Sequence, residues 1–236
     1  MQELHDAYAP RLRVLIAGGG VGGLEAMVAL RALAQERVEL TLLAPEREFT
    51  LRALGIQESF GAGHPRSYPL AELAERHGAR LLPERLRAVD TVRRRVTLGS
   101  GEELGYDVLL LATGAVPVPA WSSGVAFDRA RDPLAVDGLV ADALGGIAPR
   151  LAVVVPAGVQ WTLPAYEIAL LASAFGPADL RVTLVTHEHE PLEIFGAPGV
   201  ALARRELGAA GVELVAGERA DVVTDTVVEL ASGGRV

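Results

Sequence analysis

Leu12-Arg13-Val14-Leu15-Ile16-Ala17-Gly18-Gly19-Gly20-Val21-Gly22-Gly23-Leu24 is the stretch whose reading decides the fold. Leu12–Ala17 is a short apolar run with β-branched members, which reads as a central strand of a parallel sheet. Residues 18–23 form a glycine-rich turn. Residues 24–35 then repeat apolar side chains at helical spacing: Leu24, Met27, Val28, Leu30 and Ala34. Val38–Leu43 is a second strand. Strand, glycine turn, helix and strand within about thirty residues make one βαβ unit.

The turn has the form Gly18-x-Gly20-x-x-Gly23. The first glycine allows a tight exit from the strand. The second lets the backbone approach a pyrophosphate, and the third lets helix and strand pack closely. The helix N-terminus adds free N–H groups and partial positive charge. Such a motif alone is weak, but here it follows an expected strand and opens an expected helix, which is its confirming context. Gly18, Gly20, Val21, Gly22 and Gly23 are therefore candidate dinucleotide-binding positions. The bland alternative is a tight packing turn with no ligand. A carboxylate that accepts from ribose hydroxyls is expected past the end of the second strand. The strand ends Leu42-Leu43-Ala44-Pro45-Glu46-Arg47, so Ala44 stands first and Glu46 is the nearest acid. Glu46 and its neighbour Arg47 join the candidates; otherwise Glu46 is a solvated loop residue.

Outward from this unit the α/β pattern continues. Residues 1–11 are a polar lead-in and 49–64 are irregular. Residues 69–77 read as a helix with Pro69 suited to its first turn. Short strands are expected at 78–82 and 86–89, and a hairpin at 93–98 and 103–106 around Gly101. Residues 107–112 read as a buried strand closed by Thr113-Gly114. Val116-Pro117-Val118-Pro119-Ala120 is stiff and extended, a natural boundary. A second α/β pattern follows, with strands at 151–155, 181–186 and 212–215 and helices at 164–175 and 199–210. Residues 226–230 before Ser232-Gly233-Gly234 look like one arm of a hairpin whose returning strand is missing. The expected fold is α/β: two Rossmann-like three-layer units with parallel sheets, 1–119 and 120–236, the first carrying a β-hairpin or meander insertion.

Composition sets limits. Half of the 236 residues are hydrophobic but only 5% are aromatic, so the core is built mostly from Ala, Val and Leu. The formal net charge of -8 argues against a nucleic-acid surface, which needs a basic field. The sequence contains no cysteine, lysine or asparagine. Within this chain that excludes disulfides, thiolate metal sites, Schiff bases and a P-loop lysine. Glu188, past the end of the 181–186 strand, is a second candidate ribose acid, but His187-Glu188-His189-Glu190 reads rather as a solvated loop. Its two histidines would need a third ligand and a rigid frame to hold a metal, so none is expected. No apolar stretch is long enough to span a bilayer and no secretory signal is visible, so a cytoplasmic protein is expected, with peripheral membrane contact left open.

Two blocks carry a resemblance: residues 14–46, and Tyr106-Asp107-Val108-Leu109-Leu110-Leu111-Ala112-Thr113-Gly114. Together they resemble the two-dinucleotide flavoproteins, the group of pyridine nucleotide-disulfide oxidoreductases, type II NADH:quinone oxidoreductases and sulfide:quinone oxidoreductases. The apolar run ending in Ala112, Thr113 and Gly114 is similar to that family's second signature, where the chain passes close to FAD. The resemblance implies FAD in the first unit. It also implies a role near the flavin for Arg52 and backbone contact with the adenine for Leu86. In the family a second Rossmann unit takes NAD(P)H. Here the matching stretch, 155–167, keeps only Gly158 of the glycines and holds Trp161 and Pro164, so NAD(P)H binding is doubtful. Disulfide-reductase and cysteine-based sulfide chemistry cannot run in a chain without cysteine. Direct hydride transfer to flavin needs none.

The resemblance thus implies an FAD-dependent oxidoreductase that takes electrons from a small donor and passes them to a quinone or another acceptor. No segment carrying the family's closing Gly-Asp motif stands before Val236, so the chain is expected to be shorter than its architecture. Exposed apolar surface would then favour a homo-oligomer. A catalytically incomplete nucleotide-binding or interaction module, a fragment, and an NAD(P)-dependent dehydrogenase using the first site remain the alternatives.

Overall fold

A computed structural model describes residues 10–51, 55–128 and 132–236. The chain divides into two compact units. Unit 1 takes the chain up to Leu51 and Arg66–Val116. Unit 2 takes the segment ending at Pro65 and Pro117–Val236.

Unit 1 is built on a parallel sheet of β1 (Leu12–Ala17), β2 (Val38–Leu43), β5 (Ala79–Leu82) and β9 (Val108–Leu111), in the order β5-β2-β1-β9. β1 and β2 run in register from Leu12↔Val38 to Ala17↔Leu43. Alternation along β1 explains the layers, because successive side chains face opposite sides of a sheet. Val14 and Ile16 join Leu40, Leu42 and Met27 of helix α1 (Val21–Ala34) in one buried cluster. Leu15 and Ala17 join Leu43, Val96, Leu98 and Tyr106 in another. Val96 and Leu98 lie on β7 (Arg95–Leu98), the middle of an antiparallel meander with β6 (Leu86–Asp90) and β8 (Glu103–Gly105). The sheet is thus covered by helix on one face and by the expected meander on the other. β3 (Glu48–Thr50) and β4 (Ser67–Pro69) form a separate antiparallel pair, and α2 (Leu70–Arg76) follows with Pro69 as its N-cap.

Three expectations shift here. Helix α1 begins at Val21, not Leu24, because Gly22 and Gly23 are its first turn rather than part of a loop. β9 is not a buried strand. It lies at the sheet edge, with Val108 46% and Leu111 59% exposed, since only β1 pairs with it among the described residues. Residues 49–64 are less irregular than expected, containing β3 and a 3-10 turn at Gln57–Phe60.

At the N-terminal ends of the strands, β1 is tied to the start of β9 by the ion pair of Arg13 with Asp107. Asp107 accepts from the Arg13 backbone N–H at 2.9 Å, from Nε at 3.1 Å and from Nη2 at 2.8 Å. Those hydrogen bonds hold the Asp107 carboxyl well below its ordinary value, at about 2. A depressed carboxylate pKa stabilises the fold above the unfolded value of 3.8, and that contribution disappears as pH falls through about 2. Asp107→Asn should therefore lower the urea midpoint at neutral pH, with the difference from wild type shrinking as the buffer is acidified through that window. A difference that stays constant from neutral pH to pH about 2 would contradict the linkage.

Unit 2 is built on a second parallel sheet, β10 (Arg150–Val154), β11 (Arg181–Val185) and β12 (Glu213–Val215), in that order. Helix α4 (Leu163–Phe175) connects β10 to β11, and α5 (Gly196–Ala209) connects β11 to β12. Tyr166, Ala169 and Ala172 of α4 and Ala203 and Leu207 of α5 pack with Val182 and Leu184 of β11 in one buried cluster. Helix α3 (Pro133–Leu144) adds Val140. Among the described residues it is the one α-helix absent from the sequence reading. Asp132 caps it, accepting from the Ala135 N–H at 3.0 Å, and Pro133 opens its first turn. β13 (Ala220–Val223) and β14 (Val228–Leu230) pair as an antiparallel hairpin. The expected unpaired arm is thus paired with the strand before it. The chain also turns back at Gly233, where Glu229 bridges to Arg235 and Val228 and Val236 exchange backbone hydrogen bonds at 2.9 Å.

Candidate functional site

The carboxyl ends of β1, β2, β5 and β9 meet at one edge of unit 1, where ligands of open parallel sheets bind. The ladder extends past each strand. Gly18 N–H donates to Leu43 O at 2.8 Å, Ala44 N–H to Leu82 O at 3.1 Å, and Ala112 N–H to Ala17 O at 2.8 Å. The glycine turn, the loop from Ala44 to Arg47 and the segment Ala112-Thr113-Gly114 are thereby gathered along this edge. Sequence spacing alone could not bring residues 18, 46 and 112 together; the register does.

Each glycine has a separate physical reason. Gly18 has φ +125°, and a Cβ there would stand 2.0 Å from Ala112 O. Gly23 lies in the first turn of α1, where a Cβ would stand 1.8 Å from Gly18 O. These two are demanded by packing. Gly20 is different: a Cβ there meets nothing within 4 Å, and the residue is exposed. Packing does not account for the absence of a side chain at Gly20. Gly20 is the N-cap of α1, without a side-chain cap and with no acid in the first turn. Val21 and Gly22 are exposed beside it. The helix start therefore presents bare backbone and uncompensated partial positive charge to solvent.

The remaining candidates fall as follows. Glu46 and Arg47 are exposed beyond β2, and the Arg47 carbonyl accepts from Leu70 N–H at 2.9 Å. Ala112 is half-buried, and Thr113 and Gly114 are exposed. Leu86 is half-buried at the start of β6, packed against the meander cluster. Arg52 lies outside the described residues.

Unit 2 presents a different edge. Where Gly18 follows β1, Val155 follows β10, 3% exposed, and donates its N–H to Val185 O at 2.9 Å. The turn then runs to Thr162 before α4 starts, with Trp161 set edge-on to Phe195 at 5.6 Å. Glu188 corrects the sequence reading. It is not in a solvated loop but 6% exposed, its carboxylate accepting from Tyr166 Oη at 2.8 Å and Thr186 Oγ1 at 3.0 Å. Burial, and then the hydrogen bond to Glu188, push the Tyr166 phenol well above its ordinary value. The Thr186 donor lies two residues away, but nothing in the sequence around Glu188 signals the Tyr166 donor, which comes from α4. Among the described residues no three His, Asp or Glu side chains gather into a metal-binding group, and no helix is long and apolar enough to cross a membrane.

The sequence pattern of the pyridine nucleotide-disulphide oxidoreductase family matches residues 12–236. The chain belongs to that family. It is thus a member of an oxidoreductase family built on nucleotide-binding Rossmann units. Sulfide-quinone reductase of Aquifex aeolicus (strain VF5) is 31% identical over 103 residues, 43% of this chain and 24% of that protein. The solved sulfide:quinone oxidoreductase of Aquifex aeolicus superposes with a TM-score of 0.80 at 23% identity, over 95% of this chain and 56% of that one. NDH2 from Plasmodium falciparum, solved with NADH, superposes with a TM-score of 0.70 at 14% identity, over 94% of this chain and 51% of that one. The chain thus spans little more than half the length of these solved relatives.

Proposed function

We propose that this chain holds FAD at the glycine turn of unit 1 and serves an oxidoreductase that passes electrons through flavin to a quinone or another acceptor, without cysteine chemistry. The observation that carries this reading is Gly20, whose lack of a side chain answers to no packing demand. The donor set fits the cofactor. Backbone N–H groups at the start of α1, beside Val21, Gly22 and Gly23, would face the pyrophosphate, and Glu46 would accept from ribose hydroxyls. Ala112, Thr113 and Gly114 would lie along the flavin side, with Leu86 offering backbone to the adenine. FAD, when bound, supplies the electron-accepting chemistry itself. The protein groups position it and admit donor and acceptor. Unit 1, within residues 1–119, would then form the flavin domain, and 120–236 would belong to a second, NAD(P)-type domain with a degenerate turn, in a cytoplasmic protein.

Purified in the presence of FAD and passed through gel filtration, the protein should keep the visible flavin absorption. A colourless protein that shows no change in an FAD titration would end this reading. Anaerobic mixing of the yellow protein with NADH should give little or no bleaching, because the unit 2 turn offers Val155 and Trp161 where bare backbone is needed.

A further inference from the structure

The two sheets of this chain carry the same ladder at their carboxyl ends. Gly18 donates to Leu43 O, and Ala44 to Leu82 O. Val155 donates to Val185 O at 2.9 Å, and Thr186 to Val215 O at 3.0 Å. The ladders therefore pair Gly18 with Val155 and Ala44 with Thr186. Two residues beyond each second donor stands a glutamate, Glu46 in unit 1 and Glu188 in unit 2. The fourth residue of the helix between the two strands is Leu24 in α1 and Tyr166 in α4.

These equivalent positions are in opposite states. Glu46 is exposed. Glu188 is buried, and a single oxygen, Oε2, takes both the Tyr166 and the Thr186 hydroxyls. An acid at this place in a Rossmann unit receives ribose hydroxyls. Here two hydroxyls from the chain itself stand as its donors, one of them carried on a ring that is 2% exposed. Two buried polar atoms flank the pair without a hydrogen-bond partner among the described residues: Thr162 Oγ1, one turn before Tyr166, and His187 Nδ1, next to Glu188. Buried polar atoms are ordinarily satisfied, so two polar groups adjoining this pair in the chain are left without a partner while its acid is already engaged.

We infer that Tyr166 is an internal substitute for a ribose hydroxyl: by engaging Glu188 it closes the adenosine-ribose position of unit 2 and makes that unit reject pyridine dinucleotides. The device lies wholly within unit 2 and does not depend on whether unit 1 holds flavin.

The probe is ADP-ribose, which carries the ribose hydroxyls but cannot reduce a flavin, titrated calorimetrically into the full chain saturated with FAD. Tyr166→Phe keeps the ring and removes the donor. It should bind ADP-ribose about tenfold more tightly than wild type, the scale of one hydrogen bond to a charged group. Tyr166→Leu, which copies the residue of α1 at the equivalent place, should gain as well and covers the case in which the first variant does not fold. Glu188→Gln added to either variant should return the affinity to the wild-type level. That cancellation assigns the gain to Glu188 rather than to general loosening or to the unit 1 site. A folded Tyr166 variant with no gain, a gain that survives Glu188→Gln, or a wild type that already binds as tightly as the variants would each overturn the inference. Loss of FAD binding by the wild type would instead count against the proposed function and leave the ADP-ribose comparison intact.

Discussion

Gly23→Ala should cost unit 1 both its fold and its flavin, whereas Gly20→Ala should cost it the flavin alone. A Cβ on Gly23 would stand 1.8 Å from Gly18 O and 3.0 Å from Gly18 C. Both are backbone atoms, so no flexible side chain can yield. Either α1 lifts away from β1 or the Gly18 turn deforms, and the helix layer over Val14 and Ile16 is lost with it. Overpacking against backbone of this kind is expected to cost about 3 kcal/mol or more. Gly20 has φ −83° and open space around its Cβ position, so alanine fits its backbone and costs about 0.5–1 kcal/mol as a poorer N-cap. The new methyl stands where the pyrophosphate must approach, and FAD affinity should fall by about tenfold or more. Urea unfolding and FAD titration of both variants separate the two effects. Saturating FAD should also stabilise wild type by about 2.7 kcal/mol at a hundredfold excess over Kd, read as a higher urea midpoint, and should do so much less for Gly20→Ala. Equal FAD affinity in Gly20→Ala and wild type would remove the main support for a ligand at this turn.

Leu70→Ala should be the most costly of the core truncations for function. Leu70 is fully buried at the start of α2. Its Cδ1 lies 2.7 Å from where a Cβ on Gly19 would stand, and its N–H holds the Arg47 carbonyl at 2.9 Å. The side chain thus packs under the glycine turn, while the loop that carries Glu46 is held by the Leu70 backbone N–H, which alanine keeps. Removing the side chain leaves a cavity under the glycine turn. The expected loss is about 2–5 kcal/mol, read as a lower urea midpoint with an unchanged slope. At low urea, where the variant remains folded, FAD affinity should still be weaker than wild type. A stability loss with unaltered FAD affinity would show that the turn holds its shape without this support.

Much of this was legible in the residues. β1 and β2 were bounded correctly because a short apolar run between charged residues and glycines has one good solution in a parallel sheet. The glycine spacing announced a strand-to-helix turn, and the absence of cysteine restricted the chemistry open to this chain. Other features differ from the sequence expectation for identifiable reasons. Glycine is a poor helix former, so the sequence points to a later helix start, yet packing against the Gly18 carbonyl requires glycine inside the first turn. Val108, Leu109, Leu110 and Leu111 are all apolar and read as a buried strand, although β9 lies at the sheet edge. Helix α3 carries its signal in Asp132-Pro133, a capping start with apolar Val136, Val140 and Ala143 behind it.

The sequence by itself determined the βαβ unit, its glycine turn and the α/β class, because those depend on local geometry and on periods of side-chain burial. Only the tertiary structure decided what the acids do. Glu46 and Glu188 stand at equivalent places after equivalent strands. Thr186 gives Glu188 a local donor where Ala44 precedes Glu46, but the donor that no local pattern announces is Tyr166, whose Oη α4 delivers to 2.8 Å from Glu188; Glu46 is exposed. A hydrogen bond between residues 22 positions apart follows from packing, and no local pattern records it.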